Sequence, residues 1–202
     1  MTIELAEDSA ELRKARGAFF TPSAVTDYLA AWAIRAATDR VLEPSCGDGA
    51  ILDAAVRRLN ALGDAGSLTA FELHEASAES ARQVLVHHGR AGDVRVGDFL
   101  ATVAEPTFQV VVGNPPYIRY QGFTGEARSR GMAAALAQGV RLSRLSSSWA
   151  PFVVHACGYL APGGRLALVL PAELLSSNYA GEVRDHLLRR FARIDIVLFG
   201  RQ

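Results

Sequence analysis

From Val41 onward, short runs of β-branched and apolar residues alternate with alanine- and arginine-rich stretches of helical period. Strands separated by helix-length segments pair through crossovers, so this alternation demands βαβ units and a parallel sheet. The predicted strands are RVLEP (40–44), SLTAFEL (67–73), DVRV (93–96), FQVVVG (108–113), GRLALVLP (164–171) and IDIVLF (194–199). Helices are predicted over 50–62, 75–88, 151–160 and 181–191. A further helix over 22–37 is opened by Pro22 in a first-turn position, with Thr21 as its cap. Apolar runs such as VVVG and LALVL suit strands buried on both faces. The fold class is therefore α/β, a doubly wound, mostly parallel sheet. With 202 residues, 50% of them hydrophobic, the chain can bury one sizeable core, which predicts a single domain. Segment 121–148, rich in Gly, Ser and Arg, interrupts the crossover after the fourth strand and is predicted as a long functional or disordered loop.

Lys+Arg and Asp+Glu each total 21, so the net charge of zero supplies no global attraction toward nucleic acid or membrane. A nucleic-acid partner would have to be met by a local patch. One exists between Arg119 and Arg144, where Arg128, Arg130 and Arg141 also fall and Glu126 is the sole acid. Solvated loop charge accounts for these residues equally well. Cys46 and Cys157 lie far apart without His or Cys at ligand spacing, which indicates neither a zinc site nor a disulfide framework and fits a reducing compartment. The N-terminal MTIELAEDSAELRKARG mixes charges through its apolar residues, and no later segment is long and apolar enough to span a bilayer. The expectation is a soluble cytoplasmic protein with no membrane partner.

In an open α/β sheet, ligands bind beyond the carboxyl ends of the strands. After the first strand comes EPSCGDGAIL, where Gly47 and Gly49 permit a tight turn and close backbone approach to a ligand. The spacing departs from a dinucleotide fingerprint. The second strand ends in Glu72, placed where an acid accepts hydrogen bonds from ribose hydroxyls. After the third strand, Asp98 can accept from an adenine amine and Phe99 can supply an apolar wall, so the ligand reads as a nucleoside. After the fourth strand stands NPPY, Asn114 to Tyr117. His87 and His88 close a predicted helix, where dipole stabilisation explains them. Ser148 and Trp149, just before the next helix, are read as able to help shape the pocket, with Trp149 equally suited to the core, and neither is assigned to the site.

EPSCGDG, FE, GDF and above all NPPY, in this order, resemble the motifs of class I S-adenosylmethionine-dependent methyltransferases acting on amino nitrogens. The closest resemblance is to the gamma-type adenine-N6 DNA methyltransferases of restriction-modification systems, in which an FFTP motif lies upstream of the glycine turn. GAFFTP occupies that place at 17–22. The resemblance runs from about Arg13 onward. It implies a Rossmann-like fold, S-adenosyl-L-methionine as donor, and the N6 amine of a flipped-out adenine in DNA as acceptor. The amine of adenine is a poor nucleophile because its lone pair is delocalised into the ring. By the resemblance, the Asn114 side-chain oxygen and the Pro115 carbonyl accept its two hydrogens. Pro115 and Pro116 fix φ and stiffen that grip, while Tyr117 stacks on the base. Thr21 and Glu43 would face the methionine moiety and Glu72 the ribose. Asp98 and Phe99 would face the adenine, with Pro44, Cys46, Gly47 and Leu73 as further cofactor-binding residues. Cys46 is not required as a covalent nucleophile, since a sulfonium is already an activated leaving group.

The resemblance also implies an aromatic-bearing loop, a seventh antiparallel strand and a target-recognition domain, supplied beyond Gln202 or in trans. The catalytic subdomain over 1–202 is thus expected to be C-terminally incomplete, with weaker donor binding and little site-specific methylation alone. Three alternatives stay open: a glutamine methyltransferase acting on release factors, an RNA methyltransferase, and a non-catalytic module of the same fold.

Overall fold

The computed structural model describes residues 21–199. Strands β1 (Arg40–Glu43), β2 (Ser67–Glu72), β3 (Asp93–Val96), β4 (Phe108–Gly113) and β5 (Leu160–Leu168) form one sheet in the order β3-β2-β1-β4-β5. Every pairing is parallel. The chain winds outward from β1 to β3, then returns to lay β4 on the other flank of β1. This reversal makes the carboxyl ends of β1 and β4 the topological switch point, the place where open α/β sheets bind their ligands.

Alternate strand residues face opposite layers. Val41, Leu68, Ala70, Val110 and Val112 pack beneath helices α1 (Ser23–Ala33), α2 (Ala50–Leu62) and α3 (Glu75–His87). Leu42, Phe71 and Val111 face the other layer. That layer holds a 3-10 turn (Phe99–Ala101), α4 (Gly125–Ala137), α5 (Trp149–Cys157), α6 (Glu173–Ser176) and α7 (Gly181–Arg190). The doubly wound prediction is met because the strands are apolar on both faces. α2 buries Ile51, Leu52, Ala55, Val56 and Leu59 along one stripe, and each large aliphatic so buried is worth roughly 1.5–3 kcal/mol.

One buried ion pair ties the start of the sheet to its far edge. Arg165 on β5 donates to Asp39 Oδ1 at 2.7 Å, while Asp39 Oδ2 accepts the Arg35 and Ala36 amides at 2.8 and 3.0 Å. Burial disfavours the Asp39 carboxylate, but those two amides and Arg165 outweigh it and hold its pKa below the ordinary value.

Four local expectations are corrected. The predicted loop 121–148 contains α4. Its hydrophobic periodicity is faint because it packs through alanines and Gly131, where a Cβ would lie 2.9 Å from Phe123 Cζ and 3.1 Å from Pro151 Cγ. The predicted strand 194–199 does not pair. β propensity without a backbone partner leaves Ile196, Leu198 and Phe199 exposed and non-strand. β5 begins before the predicted 164–171 because an edge strand tolerates a bulge. Leu160 pairs with Phe108, the register shifts across the Pro-Gly-Gly segment, and Arg165 then pairs with Val110. Finally, Pro22 is the N-cap of α1 without a side-chain cap bond, and Thr21 turns its hydroxyl elsewhere. Residues 17–20 of the FFTP segment lie outside the described residues.

Cys46 and Cys157 are free and buried. Among the described residues, no helix is long and apolar enough to cross a membrane, and no group of three or more His, Cys, Asp or Glu side chains could hold a metal ion.

Candidate active site

The turn after β1 and the segment after β4 meet at the switch point. Gly113 abuts the Pro44 ring, with its hypothetical Cβ 3.4 Å from Pro44 Cδ, and Ser45 Oγ donates to the Asn114 carbonyl at 3.1 Å. Gly49 has φ near +90° and caps α2 against Ala81 of α3, where a Cβ would sit 3.1 Å from the Ala81 Cα. A side chain is excluded there by both conformation and space. Gly47, also left-handed at φ +52°, meets nothing within 4 Å and leaves open room over the turn. It donates its amide to Glu72 Oε2 at 2.9 Å, and His74 donates to Glu72 Oε1 at 2.9 Å. The β2 carboxylate is thereby fixed beside the β1 turn.

Glu43 is the charged anomaly of the site. It is 2% exposed, and its Oε2 has no hydrogen-bond partner. Burial, reinforced by the nearby Glu72, pushes its pKa well above the ordinary carboxyl value. A buried acceptor left unpaired is costly unless something else occupies it. The same burial, with Glu43 and Glu72 adding to it, raises the Cys46 thiol far from thiolate character, in keeping with a packing role.

On the β4 side, Asn114 is oriented from both ends. Its Nδ2 donates to Thr21 Oγ1 at 3.0 Å, and its Oδ1 accepts from the Tyr117 hydroxyl. That hydroxyl also lies 2.7 Å from the Val169 carbonyl past β5, so the ring is anchored across two strand ends. Burial raises the phenol's pKa, keeping it protonated. The backbone carbonyls of this segment are unevenly used. Asn114 O accepts Ser45, and Pro116 O accepts the Ser148 hydroxyl. The Pro115 carbonyl between them accepts no hydrogen bond among the described residues.

Ser148, unassigned from sequence, is a brace of this segment. Its hydroxyl donates to Pro116 O and accepts the Ile118 amide at 2.8 Å, and its own amide donates to Ile118 O at 2.9 Å. No periodic or motif signal marks such a role; only its place just before α5 would suggest it. Trp149 is core, 1% exposed, with Nε1 donating to Tyr179 Oη at 3.1 Å. His88, expected only to complement a helix dipole, also reaches Asp53 on α2 at 2.7 Å.

The β3 end is more closed than expected. Asp98 Oδ1 caps the 3-10 turn through the Leu100 amide at 2.9 Å, and Oδ2 accepts Arg130 of α4 at 2.8 Å. Phe99 is only 3% exposed, its ring packed among Phe71, Phe152, His155 and Tyr159. It therefore offers a ligand little surface in this geometry. Leu73, by contrast, is 60% exposed beyond Glu72 and presents an apolar face.

The model of the N-6 DNA Methylase family matches residues 4–198. The Type II methyltransferase M.XhoI of Xanthomonas vasicola is 29% identical over 88% of this chain and 37% of its own length. M.PaeR7I of Pseudomonas aeruginosa is 28% identical over 88% of the chain and 36% of its own length. The chain thus spans just over a third of these relatives. Among solved structures, the type I restriction-modification methyltransferase subunit of Streptococcus thermophilus superposes with TM-score 0.63 at 23% identity, over 85% of this chain and 38% of that one; at that identity the likeness concerns the fold. With the ordered motifs gathered at the strand ends and the family match covering nearly the whole sequence, the chain belongs to the N-6 DNA Methylase family.

Proposed function

We propose that this chain transfers a methyl group from S-adenosyl-L-methionine to the N6 amine of an adenine extruded from DNA. One observation carries the reading. At the switch point, the Asn114 amide oxygen and the Pro115 carbonyl are two neighbouring acceptors, and of three consecutive backbone carbonyls the middle one accepts no hydrogen bond among the described residues. Two acceptors match an exocyclic amine with two hydrogens.

The residues of the β1 and β2 ends fit the donor. Glu43 has a buried unpaired oxygen suited to a cationic or hydrogen-donating group, Gly47 leaves space over the turn, and Glu72 and Leu73 suit ribose and adenine. Thr21, Pro44 and Asp98 complete the assigned lining, while Cys46 and Phe99 are packed beneath it and give it shape instead of contact surface. When bound, S-adenosyl-L-methionine supplies a methyl group on a positively charged sulfur that departs as a neutral thioether.

Asn114 Oδ1 and Pro115 O draw the amine toward tetrahedral geometry and localise its lone pair. As the new N–C bond forms, the nitrogen becomes positive, and both oxygens stabilise that charge without reorganising. The nitrogen then loses a proton to water. Tyr117 can release Asn114 Oδ1 at little cost, because its single hydroxyl proton has the Val169 carbonyl as an alternative acceptor. Its anchored ring offers a stacking face worth roughly 1–3 kcal/mol, which offsets much of the few kcal/mol needed to unstack a base. Since the relatives are nearly three times as long as the matched region, we assign choice of the DNA target sequence to protein outside these 202 residues.

The test is single-turnover transfer with enzyme in excess, offering labelled donor with adenine-containing duplex, structured RNA and a release factor in parallel. N6-methyladenine in the duplex is the expected product. Label on RNA, on glutamine or on a cytosine, with none on adenine, would overturn the reading.

A further inference from the structure

The basic patch singled out in the sequence surrounds a cleft of about 550 Å³ beside the NPPY segment, lined by Arg128, Arg141 and Arg144 and by an apolar wall including Tyr120, Phe123 and Leu142. We propose that this cleft is a second DNA subsite: Arg141 and Arg144 hold backbone phosphates beside the extruded nucleotide, and Tyr120 supplies a stacking face. The proposal rests on the DNA reading above and names a surface that reading does not use.

Three observations carry it. First, the cleft is charged without internal neutralisation. Arg141 and Arg144 are exposed, and neither has a carboxylate within ion-pair distance among the described residues. The sole acid of segment 119–144, Glu126, pairs at 3.1 Å with Arg130, which is turned toward Asp98. α4 therefore directs its acid and one arginine to the donor side and leaves the cleft positive. Second, the cleft is built, since Arg128 donates to Phe123 O at 3.1 Å and to the Arg144 carbonyl, bridging its two lips. Third, it is close enough. Tyr120 is three residues past Tyr117, so their Cα atoms are within about 10 Å, about three nucleotides along a strand that carries one phosphate per roughly 3.4 Å of axis. Arginines beside an aromatic face are the chemistry of a nucleic-acid strand.

The experiment measures affinity against salt for a fluorescent duplex with one mismatched adenine, using the wild-type chain, Arg141→Gln/Arg144→Gln, Tyr120→Ala and a charge-matched control, Arg35→Gln/Arg189→Gln, remote from the cleft. Arg128 is left intact because it braces the cleft. The cleft double variant should lower the slope of log affinity against log salt by about 2, and the control should leave it near wild type. Tyr120→Ala should weaken binding roughly 5- to 100-fold with the slope unchanged. Donor-induced thermal shifts should match in all four proteins, showing that the fold is retained. Salt-dependent wild-type binding with equal slopes in the cleft and control variants would overturn the subsite alone. Absence of any wild-type DNA affinity would overturn both readings. Preferential retention of a structured RNA through the same arginines would replace DNA as the occupant.

Discussion

Asn114 shows how much chemistry one side chain can focus once its orientation is settled. With Nδ2 committed to Thr21, only the oxygen can face an incoming amine. Asn114→Ala should therefore cut methyl transfer by about a hundred- to thousandfold or more, as loss of a preorganised transition-state partner does, while leaving donor affinity nearly intact. Single-turnover rates beside donor titrations separate the two effects, and near wild-type transfer would contradict the assigned role. Glu43 makes the opposite trade. Its pKa is raised in the folded chain, so its contribution to stability is fully present below the ordinary carboxyl pKa of about 4.3 and is lost as pH rises beyond it. Glu43→Gln should raise the melting temperature of the ligand-free chain at pH 7, leave it little changed at pH 4, and weaken donor binding. Melting curves across that range, compared between variant and wild type, isolate the effect. Both residues were legible in sequence because each closes a strand. Ser148 could be singled out only by its place before α5, because bracing a loop from 30 residues away has no local signature.

At the scale of elements, the buried pair between Asp39 and Arg165 joins the β1 entry to β5 across 126 residues of chain. Removing one partner of such a pair strands the other in a poorly hydrated site. Asp39→Ala should cost about 1–3 kcal/mol, the usual loss for a charged group's hydrogen bonds in a partly buried site, read as a shift in the urea midpoint. The Asp39 pKa is lowered on folding, so the stability it contributes is present above its ordinary pKa and disappears as pH falls through the lower folded value. α2 was predicted to the residue, since its burial stripe is written in its periodicity. α4 was missed because alanines and Gly131 pack by close approach, which contributes little to an apolar stripe. Segment 194–199 fails for the reverse reason: its residues favour a strand, and no strand among the described residues pairs with it.

For the whole molecule, the residues assigned to donor and base hang from the ends of β1, β2 and β4, strands that contribute to the core clusters on both faces of the sheet. A ligand bridging those ends should stabilise the chain as a unit. At about 100 times its dissociation constant, S-adenosyl-L-methionine should add roughly 2.7 kcal/mol, a rise of about 5–11 °C in melting temperature for a chain of this size. A flat titration would remove the donor from the account. By itself the sequence determined the strand-helix alternation, the doubly wound parallel class and the polar residues at strand ends, because local periodicity and the pleat dictate those. Which of these residues meet was decided only by the tertiary structure. Crossing from β3 back to β4 brings Asn114 against the β1 turn, directs Arg130 to Asp98 and leaves the Pro115 carbonyl without a hydrogen-bond partner among the described residues. Such partnerships depend on packing between segments distant along the chain, and no local pattern of residues records them.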